Sequence, residues 1–211
     1  FSQQKASLAN KNNYFQNQIV DVKIKRKKEI NFFNNDEHVK ETSLNNLSKL
    51  KPVFIKEGTV TAGNSSGIND GSAALILSSE KKIQKNNLNP IARIIGYAHS
   101  GVDPKIMGIG PISAVKKLCQ KFSLKISDFD IIESNEAFAA QACAVNKVLE
   151  IEKEKVNPNG GAIALGHPIG ATGAILVIKA ISELKRVQKK LALVTMCIGG
   201  GQGIAIAIEN I

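Results

Sequence analysis

The feature that most constrains the fold lies near the end of the chain, where a glycine-rich stretch separates two apolar segments. The segments span 191–195 and 204–208, and Gly199-Gly200-Gly201-Gln202-Gly203 stands between them. A short glycine-rich connection between apolar, β-branched runs is typical of a hairpin, because glycine adopts turn conformations at little steric cost. The sequence therefore predicts two antiparallel strands at this end of the chain.

Upstream of this hairpin, strand-like apolar runs alternate with helical patterns. Further strands are predicted at 72–78, at 129–132 and, as a buried strand, at 91–97; helices are predicted at 111–122, 137–149 and 174–185. Asn135 or Ser134 is the expected cap of the helix that starts at Ala137. The first part of the chain predicts a helix that ends near Asn12 and Asn13, a strand over 19–25 and a helical turn at 81–85. This alternation indicates an α/β fold with a mostly parallel sheet and an antiparallel edge.

The chain is basic, with a formal net charge of +10, and 43% of its residues are apolar. The charge suits an anionic partner, such as nucleic acid, a membrane surface or a phosphorylated small molecule, but it also suits a solvated surface. The run from Lys25 to Lys28 has no aromatic stacking residue beside it and follows a strand pattern. We therefore interpret this run as a solvated hairpin tip, and we expect no nucleic-acid partner.

Two further features of the sequence indicate where in the cell the protein is located. No apolar run approaches the roughly 20 residues that span a bilayer, and Phe1 is neither an initiator methionine nor part of a signal-like segment. We therefore expect no membrane partner and a chain that begins within a longer protein. The three cysteines, Cys119, Cys143 and Cys197, are odd in number and lack disulfide-like spacing. They predict free thiols in a reducing, cytoplasmic compartment.

Cys197 follows a predicted buried strand and directly precedes the glycine hairpin. A thiol at this position can face a cleft while the backbone N–H groups of Gly199 and Gly200 donate to an oxyanion. A lone cysteine also often serves simply as a small buried hydrophobe. The pattern by itself leaves both interpretations open.

His167 and Asn135 are the other candidates for chemistry. His167 stands in a small-residue loop that opens a helix, where its imidazole can donate to an oxyanion or activate a thiol. Asn135 is an N-cap by position, and its amide can alternatively hold a water or a substrate oxygen. His38 and His99 have no comparable setting and are interpreted as structural. No combination of these residues has metal-ligand spacing, so no metal is predicted.

Taken together, three segments resemble the C-terminal signatures of the thiolase family in their proper order. They are Asn135-Glu136-Ala137-Phe138-Ala139-Ala140, Asn159 to Gly173 around Gly166-His167-Pro168, and Cys197-Ile198-Gly199-Gly200-Gly201-Gln202-Gly203. The likeness extends to 58–64 and 101–108, and it is closest to the biosynthetic acetyl-CoA acetyltransferase type. It implies a thiolase-like α/β fold with a C-terminal βαβαβαββ domain and a mixed five-stranded sheet, plus part of the loop region of the N-terminal half. The implied division is a CoA-binding loop region at 1–68, the last strand and helix of the N-terminal domain at 69–89, and the C-terminal domain at 90–211.

The resemblance also implies a role for each matching residue. Cys197 would be the acid/base that removes a proton from the α-carbon of the second acetyl-CoA. His167 would activate a nucleophilic cysteine and, with a water held by Asn135, stabilise the enolate oxygen. The backbone N–H of Gly199 would help to form a second oxyanion hole. The implied reaction is the condensation of two acetyl-CoA molecules to acetoacetyl-CoA and CoA, or the reverse thiolysis.

The family pattern also implies contacts with the substrate. Coenzyme A would be substrate and product, and no cofactor is expected. The residues expected along the pantetheine arm, the acyl end or the CoA phosphates are Ser66, Ala62, Phe54, Met107, Ala137, Phe138 and Lys40. The resemblance further implies a homodimer or a homotetramer.

The family's nucleophilic cysteine lies in the N-terminal half, in a setting that none of the three cysteines reproduces. We therefore expect the isolated chain to have no turnover and to aggregate or to require a missing N-terminal thiolase half. Two other hypotheses stay open. One is a ketoacyl synthase relative, which would lack a cysteine equivalent to Cys197; the other is a non-catalytic remnant or CoA/lipid-binding fragment of a split thiolase gene.

Overall fold

The structure is a computed structural model that describes residues 1–26 and 29–211. Its largest unit is a four-stranded mixed sheet with the spatial order β3-β6-β5-β4. The strands are β3 (Ala92–Gly101), β4 (Ile131–Ser134), β5 (Leu191–Ile198) and β6 (Gln202–Asn210). The predicted C-terminal hairpin is confirmed, because β5 and β6 pair antiparallel, with Ile198 opposite Gln202. Gly200 and Gly201 adopt the positive φ values that this tight connection requires.

Helices cover both faces of this sheet, so the strands are buried on two sides. They are α4 (Gly110–Phe122), α5 (Ala139–Val148), the single turn α6 (Ala162–Leu165) and α7 (Thr172–Arg186). Successive residues of β5 alternate between two apolar clusters: Leu193 packs with α4 and α5, whereas Ala192 and Val194 pack with α7. This two-sided burial explains the continuous apolar run in the sequence of β5.

The predicted mixed sheet is confirmed, but two details differ from expectation. Only β4 and β5 form a parallel ladder, whereas β3–β6 and β5–β6 are antiparallel, so the sheet is not mostly parallel. The three-residue turn between β5 and β6 forces the antiparallel pairing. The expected fifth strand is reduced to one parallel bridge between Ile132 and Val156 on the open side of β4.

The remaining elements precede or connect this sheet. They are α1 (Ser2–Lys11), β1 (Val22–Arg26), β2 (Glu29–Phe33), α2 (Leu44–Ser48), α3 (Glu80–Lys85) and two 3₁₀ helices at Pro104–Ile109 and Ile126–Asp128. Helix α1 docks on the later part of the chain, where the Ser2 hydroxyl donates to the Glu136 carboxylate over 2.6 Å. The predicted helices at both ends of this region are confirmed. The predicted hairpin tip includes Lys27 and Lys28, which lie outside the described residues.

The strand prediction at 72–78 is wrong, and the one at 91–97 is right about the strand but wrong about its burial. Residues 72–78 form no regular ladder, and Ile76 and Leu77 are 97% and 75% exposed, because no neighbouring strand is available to pair with them. The strand predicted at 91–97 does form within β3, but most of its side chains are exposed. It lies at the edge of the sheet, so only part of it reaches the core. In the described residues, no helix is long and apolar enough to cross a membrane.

Candidate active site

The candidate site lies where the parallel strands β4 and β5 end. Asn135 follows β4 directly, and its backbone N–H donates to the Thr195 carbonyl of β5 over 3.0 Å. Cys197 lies two residues further along β5, near the same edge of the sheet. The carboxyl ends of parallel strands are a common position for ligand sites, because connecting loops converge there.

His167 reaches this edge from the loop before α7. Its Nε2 atom lies 3.3 Å from the Asn135 amide nitrogen, and its Nδ1 atom lies 2.6 Å from the Thr172 hydroxyl. The backbone N–H of His167 donates to the Gly67 carbonyl and to Oδ1 of Asn69, each over 3.2 Å. Both ring nitrogens and the backbone are therefore held in place. Partial burial lowers the pKa of the imidazole, which favours its neutral form.

Asn135 is not the helix cap that its position in the sequence predicts. Helix α5 starts at Ala139 with Phe138 at the N-cap position and has no side-chain cap. The Asn135 side chain is instead buried and directed at His167, and its Oδ1 atom has no partner among the described residues. The predicted alternative cap, Ser134, also fails, because its hydroxyl is buried without a partner in the same part of the structure.

Cys197 is a buried free thiol, only 6% exposed, and burial raises its pKa. It is therefore protonated at neutral pH, and its thiolate would be a strong base when formed. Gly199 follows in the exposed turn after β5, where an added Cβ would contact nothing within 4 Å. The backbone at Gly199 thus faces open space, where a ligand can approach it.

The other two cysteines occupy the helices in which the sequence predicts them. Cys119 lies in α4 and is half-buried, and burial raises its pKa; Cys143 is exposed on α5. Both side chains are in free-thiol form, as is Cys197. Neither belongs to the loops that surround His167.

Four of the predicted substrate-binding residues come together beside the start of α5. The Ser66 N–H donates to the Ala137 carbonyl over 3.0 Å, and Ser65 forms an antiparallel bridge with Phe138. The rings of Phe54 and Phe138 meet edge to face with centroids 6.3 Å apart. These contacts join two segments that lie far apart in the sequence.

The other three predicted residues lie around this group or away from it. Ala62 is exposed in the turn that leads to Ser66, and Met107 is half-buried in the 3₁₀ helix that packs on α5. Lys40 is exposed, and its backbone N–H donates to Oε1 of Gln3 on α1 over 2.8 Å. Within the described ranges, no hydrogen bond or ion pair links Lys40 to the Phe54–Phe138 group.

An open cleft of about 380 Å³ lies next to the His167 loop. Its walls come from 69–73 on one side and 168–171 with Ala174 on the other. The cleft leaves one side of the loop accessible, close to the point where the unpaired segment 72–78 begins.

A network of charged groups that the sequence patterns did not predict lies behind this edge of the sheet. Lys179 of α7 donates to the Glu133 carboxylate over 2.7 Å and to the Gly160 carbonyl over 2.6 Å, and both side chains are buried. Burial raises the pKa of Glu133, and the charge of Lys179 opposes that shift. The signal in the sequence was a glutamate inside an apolar strand, which requires a buried cation or proton.

A second missed residue, Glu136, connects the segments that carry the site. Its carboxylate accepts hydrogen bonds from the Ser2 hydroxyl, the Asn157 amide and the Ile163 N–H. These donors lie on α1, on the loop after the bridge at Val156 and on α6. Glu136 therefore joins the Asn135 strand end to the glycine-rich segment that leads to His167.

Comparisons with known proteins agree with this arrangement. Residues 88–210 match the family described as thiolase, C-terminal domain, and residues 1–81 match thiolase, N-terminal domain. The chain is 54% identical over its whole length to the beta-ketothiolase BktB of Cupriavidus necator, of which it covers 54%. It thus spans about half the length of the curated relatives that it matches. The match of 1–81 assigns this part of the chain to the N-terminal thiolase domain, so the chain is not confined to the C-terminal half.

Solved structures with the same fold include a Bacillus anthracis acetyl-CoA acetyltransferase, with a TM-score of 0.97 and 48% identity. A human mitochondrial 3-ketoacyl-CoA thiolase in complex with CoA gives a TM-score of 0.90 and 42% identity. Each alignment covers the whole of this chain, 54% of the first structure and 52% of the second. These matches confirm the thiolase-like fold. The chain belongs to the thiolase family.

Proposed function

We propose that this chain supplies the acid/base and enolate-stabilising part of an acetyl-CoA C-acetyltransferase site. The reaction is the condensation of two acetyl-CoA molecules to acetoacetyl-CoA and CoA, or the reverse thiolysis. The observation that carries the proposal is the 3.3 Å contact between Asn135 and His167 at the sheet edge where Cys197 lies. A residue pair that can hold an oxyanion, beside a buried thiol, meets the two needs of forming a carbanion next to a thioester.

In the direction of condensation, the Cys197 thiol first gives its proton to the CoA thiolate released when the nucleophile is acylated. The resulting Cys197 thiolate takes a proton from the α-carbon of the second acetyl-CoA and becomes a thiol again. The negative charge passes to the thioester oxygen, which His167 and a water on Asn135 stabilise. The carbanion then attacks an acetyl group carried by a nucleophilic cysteine of the N-terminal half. The bond from that acetyl group to sulfur breaks, the cysteine leaves as a thiolate, and the N–H of Gly199 stabilises the intermediate oxyanion.

The substrate would approach across the group around Phe54 and Phe138. Ser66 and Ala62 would contact the pantetheine arm, and Met107 and Ala137 would border the acyl end. Lys40 would attract the CoA phosphates as an exposed point charge, which needs no fixed geometry. The relative crystallised with CoA supports a ligand of this class.

The same proposal holds that the chain by itself is inactive. None of its three cysteines combines exposure with a place beside His167, and the apolar side chains of 72–78 lie open to solvent. An exposed apolar strip of this kind marks a surface that another part of the protein covers. The assembled enzyme would then form homodimers or homotetramers.

A chimera tests this proposal directly. In BktB, the region that matches this chain is replaced by the 211 residues, so that BktB contributes the rest of its sequence. The chimera should cleave acetoacetyl-CoA with CoA, while the chain alone should not. Cys197→Ala in the chimera should abolish thiolysis and condensation but leave acylation of the nucleophile intact. Cys143→Ala is the matched control and should retain activity.

The outcomes separate the alternatives. Thiolysis by the chain alone would contradict the need for a second half. Condensation that survives Cys197→Ala would favour a ketoacyl synthase relative. A chimera that folds and binds CoA but neither acylates nor cleaves would favour a non-catalytic CoA-binding remnant.

A further inference from the structure

We propose that Thr172 is a positioning residue for His167. Its hydroxyl accepts a hydrogen bond from the ring N–H at Nδ1, so that Nε2 carries a lone pair towards Asn135. This inference rests on the proposed function, because it assigns a partner to the histidine of that site. Thr172 is not part of the substrate group and touches the reaction only through the imidazole.

The hydroxyl of Thr172 has one proton and two close neighbours. Its oxygen lies 2.9 Å from the Pro168 carbonyl, to which it donates, and 2.6 Å from Nδ1 of His167. Because the hydroxyl donates its only proton to the Pro168 carbonyl, its oxygen can only accept a hydrogen bond from Nδ1 of the ring. Nδ1 therefore carries the proton of the neutral imidazole.

The contact on the opposite side of the ring fits the same tautomer. The Asn135 amide nitrogen lies 3.3 Å from Nε2, and a bare Nε2 can accept its N–H. A neutral imidazole has one donor and one acceptor nitrogen, and the two contacts use one of each. Burial lowers the pKa of His167, which keeps the ring neutral so that this division applies.

The backbone and side chain of Thr172 hold its hydroxyl in a fixed position. Thr172 is 3% exposed at the first turn of α7, and its backbone N–H also donates to the Pro168 carbonyl over 2.9 Å. Threonine in a helix populates two χ1 rotamers, and the hydrogen bond from Oγ1 to the Pro168 carbonyl selects one of them and so fixes the direction of Oγ1. The helix itself is anchored by Leu176, Ala180 and Leu184 in the core.

A neutral hydroxyl that accepts from Nδ1 affects a catalytic histidine differently from a carboxylate in the same position. In hydrolytic triads an aspartate holds the histidine and stabilises its positive charge, whereas a hydroxyl holds the orientation and adds no charge. Nε2 of His167 can therefore take the proton of the nucleophilic thiol, donate it in a hydrogen bond to the enolate oxygen, and return it to the nucleophilic sulfur when the bond to the acetyl group breaks. One proton moves in and out at Nε2, while Nδ1 keeps its own proton and donates it to the Thr172 oxygen.

Nitrogen-15 NMR of the ring reports the tautomer without any need for activity. In the folded chimera, with the signals of His167 assigned by their loss in His167→Gln, Nδ1 should be protonated and Nε2 bare. Thr172→Val should abolish this preference, and Thr172→Ser should keep it. Thr195→Val removes another buried threonine hydroxyl, one that donates to the Ile204 carbonyl over 2.7 Å, and should leave the His167 signals unchanged.

Kinetics give the second measurement. Thr172→Val should lower kcat about tenfold with little change in KM, the size expected for one lost hydrogen bond, and Thr172→Ser should restore most of the rate. A protonated Nε2 in the wild-type protein, or an unchanged tautomer in a folded Thr172→Val variant, would overturn the proposal. A folded but inactive chimera would defeat the proposed function, and the tautomer would still decide the role of Thr172.

Discussion

The regions before and after residue 92 use their apolar residues in opposite ways. Among the described residues before 92, the buried apolar side chains are Ala6, Ala9 and Phe15, whereas the sheet and its helices bury apolar residues on both faces. The earlier region instead exposes large apolar side chains, including Phe54, Ile68, Ile76 and Leu77. The later region therefore has an apolar core of its own, whereas the earlier region leaves apolar side chains exposed to solvent, the kind of surface that marks an interaction site.

The largest effect is expected at the buried ion pair that distinguishes the later region. Lys179→Met leaves the Glu133 carboxylate buried without its cation, and the free energy of unfolding should fall by about 3–5 kcal/mol. Chemical denaturation of the chimera measures this loss. The double variant Lys179→Met/Glu133→Gln should recover part of it, since no unpaired charge remains.

The same pair predicts a dependence on pH. Burial raises the pKa of Glu133 above 4.5, its ordinary value, so protonation favours the folded state and stability is lost as pH rises through the folded-state pKa. Without Lys179 that pKa rises further. The loss in Lys179→Met should therefore be greatest at neutral pH and shrink as the pH falls towards 4.5, whereas a pH-independent loss would contradict a charged Glu133.

A matched pair of truncations compares the two regions directly. Leu184→Ala removes a fully buried side chain from the α7 cluster and should cost about 2–5 kcal/mol. Ile76→Ala removes a side chain that is 97% exposed and should change the stability of the chain alone by no more than about 0.5 kcal/mol. Thermal unfolding of the purified variants measures both.

The chimera allows the effect of Ile76→Ala to be compared with and without the N-terminal half. If the N-terminal half covers the strip at 72–78, Ile76→Ala should cost about 1–2 kcal/mol there, because the side chain has become buried. An equal, negligible effect in the chimera and in the chain alone would show that the strip stays exposed. The apolar strip would then need another explanation.

A last comparison concerns two glycines, Gly199 in the turn between β5 and β6 and Gly203 in β6. A Cβ at Gly203 would overlap with the backbone carbonyl of Gly110, so Gly203→Ala should cost about 1–3 kcal/mol. A Cβ at Gly199 would meet nothing within 4 Å, so Gly199→Ala should change stability by no more than about 0.5 kcal/mol. Unfolding midpoints of the two alanine variants compare them, and equal losses would contradict the close approach of β6 to α4.

Much of the later region could be predicted because its local patterns agree with its packing. The hairpin, α4, α7 and β4 follow from apolar periodicity and glycine positions. The strand at 72–78 could not be judged in this way. Its apolar run predicts a strand, but a strand exists only when another strand accepts its hydrogen bonds, and the described residues offer none.

The family, the presence of an α/β sheet and the candidates Cys197, His167 and Asn135 could all be predicted from the sequence, because they depend on short motifs and local periodicity. The contacts of those side chains became known only from the packing of the folded chain. It turned Asn135 from a helix cap into a partner of His167, brought Thr172 to the opposite side of the ring and placed Lys179 against Glu133. These contacts depend on how β4, the His167 loop and α7 pack together, and such distances between segments are not written in any local pattern.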